Sequence, residues 1–179
     1  MNAIEVLTQD HRTVEQLFRQ YHQAPTNERK GELVNQIIRE LSVHAAIEEE
    51  ILYPTVREAL PDGDQLAQDG LQEHQAAKEI LADLDKMSSD DAQFDHKVGQ
   101  LMEDMEHHVQ DEEGEMFPKL QQALGDDTLA DIGQELEQAK KRAPTRPHPA
   151  APDQPPGIKV AGPVAALLDR IRDKIQGRG

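Results

Sequence analysis

The chain has 179 residues, no cysteine, no tryptophan and a formal net charge of −16 at pH 7. The lack of cysteine excludes disulfides and thiolate metal ligands, and the negative charge argues against general nucleic-acid binding. No apolar run is long enough to span a membrane, and the first residues lack the basic start and apolar stretch of a secretion signal. We therefore expect a cytoplasmic protein without a strong membrane signal.

Apolar residues at helical spacing predict two amphipathic helices in the first third of the chain. The first apolar stripe spans 4–21 and ends before Pro25, and Thr26 is expected to cap the next helix. The second stripe spans 34–51, is interrupted by Pro54, and is followed by the turn sequence PDGD. Short connections of this kind place successive helices side by side.

Three further helices are predicted after this turn. The third stripe spans 66–84 and is ended by the sequence SSDD, whose polar residues we expect to cap the fourth helix. The fourth stripe spans 94–116, and Gly125 follows it as an expected C-cap residue. A shorter helix near 127–140 is predicted to lie against the others.

No segment alternates with a period of two residues, so the predicted fold class is all-α. We expect an up-down-up-down four-helix bundle over residues 1–125, with a short packed helix at 126–142. A proline-rich flexible linker is predicted at 143–163. Residues 164–179 predict a short basic amphipathic helix, since 140–179 carry nine of the 19 Lys and Arg but only three of the 35 Asp and Glu. We expect this tail to dock on the acidic bundle or on a partner protein.

Two stretches of the chain are nearly the same: HAAIEEEILYP at 44–54 and HVQDEEGEMFP at 108–118. A lone histidine precedes each of them in a similar setting, His11 in QDHR and His74 in QEHQ. The second helical hairpin therefore repeats the first, which predicts an approximate twofold axis through the core. The repeated polar residues would meet around that axis.

Six of the repeated residues occupy positions where the stripes favour apolar side chains. They are His11, His44, Glu48, His74, His108 and Glu112. In each copy of the motif the histidine and the glutamate are four residues apart and share one helix face. A buried carboxylate must be protonated or meet a cation, so the pattern predicts a metal site. Nitrogen and oxygen donors without sulfur suit iron, manganese or zinc.

Two carboxylates for four imidazoles indicate two ions, which in such sites lie about 3.5–4 Å apart. A carboxylate spans that distance and can bridge the two ions. The predicted arrangement has one ion on His11 and His44, the other on His74 and His108, and Glu48 and Glu112 as bridges.

On these residues and motifs, the chain resembles the hemerythrin-like, or HHE cation-binding, domain family. The resemblance covers roughly residues 1–125. It implies a carboxylate-bridged, non-haem centre of two iron ions that binds O2 or responds to iron, oxygen, peroxide or NO.

The chain departs from the oxygen-carrying members of that family at two places. Those members have a further histidine one turn after the third-helix histidine, where this chain has Lys78. They also have a longer spacing to an aspartate in the fourth-helix motif, in place of the pair His108 and Glu112. Both ions would then keep an open position. This favours sensing, peroxide or NO chemistry, or iron handling over simple oxygen carriage.

Other polar residues near the motifs are assigned different roles. His107 also precedes an acid by four residues, but the stripe places it on the outer face. The remaining glutamates of the motifs are expected to be solvated or to orient an imidazole; they are Glu49, Glu50, Glu113 and Glu115. Tyr53 is expected in the core or at its rim, where its hydroxyl could hydrogen-bond a ligand of iron.

Three functions are compatible with the sequence. The first is a hemerythrin-like di-iron protein that binds O2 or a related small oxidant, for oxygen, iron or redox sensing or storage. The second is an enzyme that acts on peroxide or NO at the same site. The third is a metal-stabilised regulatory or interaction module, which the basic tail suggests.

Overall fold

In the computed structural model, which describes residues 1–150, the chain forms helices and connections without a strand. The elements in order are α1 Ala3–Gln23, α2 Asn27–Ile47, the π-helical segment π1 Glu48–Leu52, α3 Tyr53–Ala59, α4 Gly63–Leu84, α5 Phe94–Asp111, the π-helical segment π2 Glu112–Met116, α6 Phe117–Ala123 and α7 Asp126–Lys140. Because π1 joins α2 to α3 and π2 joins α5 to α6 without a break, the described chain consists of four long helices and α7. The predicted all-α bundle with a short fifth helix is confirmed.

The start of each early helix follows from its capping residues. Asn2 and Glu5 form a reciprocal capping box at α1, in which each side chain accepts from the other residue's backbone N–H. Thr26 caps α2, as predicted, by accepting from the backbone N–H of Arg29 at 3.2 Å. These contacts satisfy backbone donors that have no partner within the helix.

The other two predicted caps are wrong. Gly125 is the N-cap of α7 rather than a C-cap of α6, and its φ of −71° is not left-handed. The extended backbone of Leu124 already leads the chain directly into α7, so no left-handed residue is needed. At α5 the N-cap is Gln93, without a side-chain cap. The polar run before it builds the turn instead, since Asp91 accepts from the backbone N–H of Gln93.

The prolines of the two motifs change the helices without ending them. Pro54 has no N–H and would clash with the carbonyl four residues earlier in a regular α-helix. The backbone N–H of Tyr53 instead bonds to the carbonyl of Glu48, five residues back, which is the π-helical pattern. Phe117 and Glu112 make the same bond in π2. In an α-helix, residues five apart point about 140° away from each other. The π-helical bond instead brings Glu48 and Tyr53, and likewise Glu112 and Phe117, to the same side of the helix.

The apolar core has two parts, and the polar repeat residues lie between them along the helices. One cluster includes Leu7, Ile47 and Leu120 and is completed by α7. The other includes Val14, Ile37 and Leu101. Since His11 lies between Leu7 and Val14 on one face of α1, the imidazole enters the layer between the two clusters.

Helix α7 packs on the bundle through buried Leu129, Ile132 and Leu136. Its close approach depends on Gly133, where an added Cβ would lie 2.4 Å from the backbone oxygen of Met1. After α7, Arg146 pairs with Asp85 at 2.5 Å. The part of the predicted linker beyond residue 150 and the whole predicted terminal helix lie outside the described residues. Within those described, no helix has the length and apolar character that a membrane crossing requires.

Replacing Gly133 by alanine should lower the free energy of unfolding by about 1–3 kcal/mol, because the new methyl group overpacks the contact with the N-terminus. The matched control is Gly99→Ala in α5, where nothing lies within 4 Å of the added atom. That change should raise stability by about 0.5–1 kcal/mol through helix propensity alone. Denaturant titration of both variants measures the difference, and equal effects would contradict the packing argument.

Candidate metal centre

The six predicted residues all lie in the middle of the bundle and are almost completely buried. None exposes more than 4% of its surface; they are His11, His44, Glu48, His74, His108 and Glu112. Five of them, all except His74, each place one donor atom so that these atoms lie within 4.8 Å of one another. They come from α1, α2, π1, α5 and π2, so residues far apart in sequence form one cluster.

The Nε2 atoms of the histidines point at the two glutamates. His44 Nε2 lies 3.2 Å from Glu48 Oε2, and His11 Nε2 lies 3.4 Å from Glu112 Oε2. His108 Nε2 lies between the carboxylates, 3.8 Å from Glu48 Oε2 and 3.6 Å from Glu112 Oε2. The two carboxylates therefore occupy the centre of the cluster, and the imidazoles surround them.

His74 differs from the other histidines because Tyr53 reaches it. His74 Nε2 lies 3.1 Å from Glu48 Oε2 and 3.1 Å from the Tyr53 hydroxyl. The same hydroxyl donates to Glu112 Oε1 at 3.3 Å. The position of Tyr53 is possible because residue 70 is glycine, since a Cβ there would lie 2.5 Å from the hydroxyl oxygen. Tyr53, which was expected in the core or at its rim, lies in the core.

Several buried donor atoms of the cluster have no hydrogen-bond partner among the described residues. They are His11 Nε2, both ring nitrogens of His44, both oxygens of Glu48, His108 Nε2 and Glu112 Oε2. Leaving one such polar atom unpaired in a protein interior costs about 1–3 kcal/mol, and more for a charged group. The Nε2 and carboxylate atoms among them fit a bound metal ion, which would satisfy them together; His44 Nδ1 instead faces outward toward Asp10.

The Nδ1 atoms face outward toward a second layer of carboxylates. These carboxylates come from equivalent positions of the two sequence repeats. Asp10 and Glu73 directly precede the first histidine of each hairpin. They contact the second histidine of the same hairpin, His44 at 3.6 Å and His108 at 2.8 Å. The acid that follows each motif glutamate crosses to the other hairpin. Glu49 is 3.0 Å from His74 Nδ1, and Glu113 is 2.8 Å from His11 Nδ1.

Each outer carboxylate has a cationic or imidazole neighbour. The closest approaches are Lys140 to Asp10 at 2.6 Å, Lys78 to Glu49 at 2.6 Å, Arg12 to Glu113 at 2.5 Å and His107 to Glu73 at 3.3 Å. Lys78, at the position where oxygen carriers have a histidine, thus binds the carboxylate that holds His74. Asp10 and Glu73 were not among the residues selected from the sequence, although the repeated acid–histidine pairs in QDHR and QEHQ are a signal for them.

The residues assigned to the outer surface are found there. The side chain of His107 is 69% exposed, as predicted from its face of α5. Glu50 pairs with Arg142, and Glu115 pairs with Lys119, in contacts at the bundle surface. Of the four further motif glutamates, Glu49 and Glu113 orient imidazoles and the other two do not.

The electrostatics of the cluster depend on opposite charges in a buried place. Burial would lower the pKa of His108, but the charge of Glu112 and contacts with Glu48 and Glu73 raise it well above its usual value. His11 and His74 have raised pKa values for the same reason. Burial would raise the pKa of Glu48, but the surrounding histidines hold it well below its usual value. Without metal, protonated imidazoles would neutralise the carboxylates.

Comparisons with known proteins give consistent results. The family described as the hemerythrin HHE cation binding domain matches residues 2–120. An uncharacterized hemerythrin-like protein of Schizosaccharomyces pombe is 30% identical over 96% of this chain and 85% of its own length. A protein of Nostoc sp. described as a DNA nickase is 30% identical over 82% of this chain but only 41% of its own length.

Among solved structures, the crystal structure of a hemerythrin HHE cation-binding domain-containing protein from Mycobacterium kansasii has the same fold. It superposes with a TM-score of 0.69 and covers 79% of this chain and 86% of its own. Its sequence identity is 24%, so the likeness is one of fold.

Replacing Glu49 by alanine should weaken metal binding by about 10–100-fold, because His74 loses the carboxylate that fixes its ring. The control is Glu50→Ala, the next residue, which pairs with a half-exposed arginine on the surface. Competition with a chromophoric chelator measures both affinities. Equal affinity in the two variants would show that Glu49 does not position the ligand.

The metal-free protein should lose stability as the pH rises from 6 to 9. The raised pKa values of His11, His74 and His108 stabilise the fold fully below their unfolded value of 6.5, and this contribution is lost as the pH passes the raised values. The lowered pKa of Glu48 acts in the opposite sense and removes stability only below 4.5.

Denaturant midpoints measured across this pH range with a chelator present test the expectation. The pH dependence should become smaller in His108→Gln and stay unchanged in His96→Gln, since His96 is an exposed residue of the same helix. A flat profile for the parent protein would contradict the assigned charges.

Proposed function

Since the chain belongs to the hemerythrin HHE cation-binding domain family, we propose that its buried cluster holds two non-haem iron ions and binds O2 or a related small oxidant. The observation that carries this proposal is the set of buried imidazole and carboxylate atoms that converge without a protein partner. Iron is proposed over zinc because the family resemblance implies it, and the nitrogen and oxygen donors suit it.

In the proposed site each hairpin supplies two histidines for one ion. His11 and His44 would hold one ion, His74 and His108 would hold the other, and Glu48 and Glu112 would be shared between the two. The position of Glu48 supports a bridging role, because its Oε2 atom lies within 3.8 Å of histidines from both hairpins. Glu112 is similarly placed between His11 and His108.

The outer carboxylates prepare the imidazoles for this role. At His11, His74 and His108 an acid that accepts from Nδ1–H places the lone pair of a neutral ring on Nε2, which faces the centre. Lys78, Lys140 and Arg12 in turn fix those acids from outside. Bound iron would supply a change of redox state and open coordination positions for O2, peroxide or NO.

Tyr53 would serve as a hydrogen-bond donor at the centre. Its hydroxyl faces both His74 and Glu112. Burial, together with the charges of nearby carboxylates, raises the pKa of Tyr53 well above its usual value, so the phenol keeps its proton. A retained phenol proton next to the iron ligands supports the binding or reduction of an oxygen-containing ligand.

The second candidate function is an enzyme that acts on peroxide or NO at the same centre. Two features favour it. Tyr53 is a buried proton donor at the centre. Lys78 of α4 pairs with Glu49, so α4 would offer the ion near His74 no ligand besides His74 itself. Sensing or storage of oxygen, iron or redox equivalents in the cytoplasm requires binding alone. The third candidate, a metal-stabilised regulatory or interaction module, was suggested by the basic tail, and most of that tail lies outside the described residues.

The relative described as a DNA nickase does not lead to a proposed nuclease function. The chain matches less than half of that protein's length. The net charge of −16 on the present chain would repel the phosphate backbone of DNA.

Protein purified from iron-supplemented cells should contain about two irons per chain, as a two-ion site requires, and should show a ligand-to-metal absorption band on oxidation. Glu112→Ala should lose at least one of the two irons, because an oxygen donor between His11 and His108 is removed. Glu115→Ala in the same motif should keep both, since Glu115 pairs with Lys119 on the surface. Elemental analysis and absorption spectroscopy measure the outcome.

Absence of iron in the parent protein would refute the proposal. Steady turnover of peroxide or NO that disappears in Glu112→Ala but persists in Glu115→Ala would select the enzyme over the binding protein.

A further inference from the structure

A cavity of about 470 Å³ lies between α1, α2 and α5 and reaches the cluster from one side. Two of its lining residues are His11 and His44, the histidines proposed to hold the same ion. Neither His74 nor Tyr53 lines it. Any molecule that fills this space therefore approaches one half of the proposed centre.

The walls of the cavity are largely apolar. They are formed by Val14, Phe18, Leu41, Met102, Met105 and Val109. Two of these six are methionines, whose flexible and polarizable side chains adapt to ligands of different shape. Apolar walls with a few polar groups among them are the usual composition of a site for a small organic molecule.

Four of the five charged residues that line the cavity are held in ion pairs, and the fifth, Glu106, is exposed. Arg19 lies 2.8 Å and Arg12 lies 3.6 Å from the two carboxylate oxygens of Glu15. Asp10 is held by Lys140 at 2.6 Å. Because these pairs neutralise each other, the cavity favours a ligand without net charge over an anion or a cation.

The size of the cavity exceeds what the proposed small oxidants need. A water molecule occupies about 30 Å³ of liquid volume, and O2, hydrogen peroxide and NO each have only two non-hydrogen atoms. The observed volume falls instead in the range of about 300–1,000 Å³ that is typical of organic ligand sites. Space of this kind, lined by apolar groups, favours an apolar ligand body.

We infer that this cavity binds a neutral organic molecule with an apolar body and one oxygen function, an alcohol or a hydroperoxide, whose oxygen reaches the ion on His11 and His44. This inference rests on the proposed iron centre, which it extends from small oxidants to organic oxygen compounds. The apolar walls bind the body, and the oxygen donor suits a metal held by nitrogen and carboxylate ligands. A molecule of about ten non-hydrogen atoms is compatible with the volume.

The test uses two probes of nearly the same shape, the unreactive cumyl alcohol and cumene hydroperoxide. Cumyl alcohol is titrated into the iron-loaded protein and followed by calorimetry and by the absorption of the iron centre. We expect saturable binding together with a change of the absorption band. Cumene hydroperoxide should compete with the alcohol if the two share the site, and failure to compete would restrict the site to alcohols.

A matched pair of variants locates the binding. Val109→Phe fills the cavity from α5, whereas Val43→Phe makes the same change on α2 outside it. Both valines are half-buried, and each is next to a proposed ligand histidine, His108 or His44. Affinity for cumyl alcohol should fall at least about tenfold, or 1.4 kcal/mol, in Val109→Phe and stay unchanged in Val43→Phe. Met102→Trp fills the cavity from another position, in case Val109→Phe does not fold.

The outcomes separate this inference from the proposed function. Binding that is absent, not saturable, or equal in the parent, Val109→Phe and Met102→Trp overturns the cavity as a ligand site, even if two irons are present. Binding that follows the variants but leaves the absorption band unchanged overturns the contact with the ion. If the protein holds no iron and cumyl alcohol still binds in the cavity, the apolar site stands and the proposed iron function fails.

Discussion

The structure depends on two carboxylates buried in the middle of a helical bundle. Glu48 and Glu112 are almost fully enclosed between two apolar clusters, where an ionised carboxylate is stable only beside positive charge or hydrogen-bond donors. Four imidazoles surround them, and outer acids with their own cations surround the imidazoles. Charge therefore alternates outward from the centre, and each layer stabilises the next. A bound metal ion would satisfy the innermost layer, because it would replace the protons that the histidines otherwise have to carry.

The sequence repeat determines how these layers join the two hairpins. Asp10 and Glu73 contact histidines of their own hairpin, whereas Glu49 and Glu113 contact histidines of the other. The crosswise contacts bring distant parts of the chain together at the level of the site. They start from the π-helical segments, in each of which the motif glutamate is buried and the next glutamate contacts an imidazole of the other hairpin.

The approximate symmetry is broken at one pair of aromatic residues. Phe117 stacks on His11, with 5.9 Å between ring centroids and 4° between planes. The equivalent Tyr53 directs a hydroxyl at His74 and Glu112. Gly70 leaves space for that hydroxyl, and the equivalent position of the first hairpin is the buried Leu7. One half of the cluster therefore has a proton donor, and the other half has a cavity beside it, so a duplicated chain provides two different sides of one site.

The sequence by itself determined the helices, the repeat and the inner residues. Apolar spacing defines helical faces, and His11, His44, Glu48, His74, His108 and Glu112 stand out because polar residues interrupt those faces. Tertiary structure decided what spacing does not encode. The partners of the Nδ1 atoms come from other helices, so Asp10 and Glu73 were missed and Glu49 could not be distinguished from Glu50. The caps near Gly125 and SSDD were wrong because the backbone of the connection, rather than residue preference, sets the end of a helix. The cavity beside His11 exists only where three helices meet, and a space between elements has no signal along the chain.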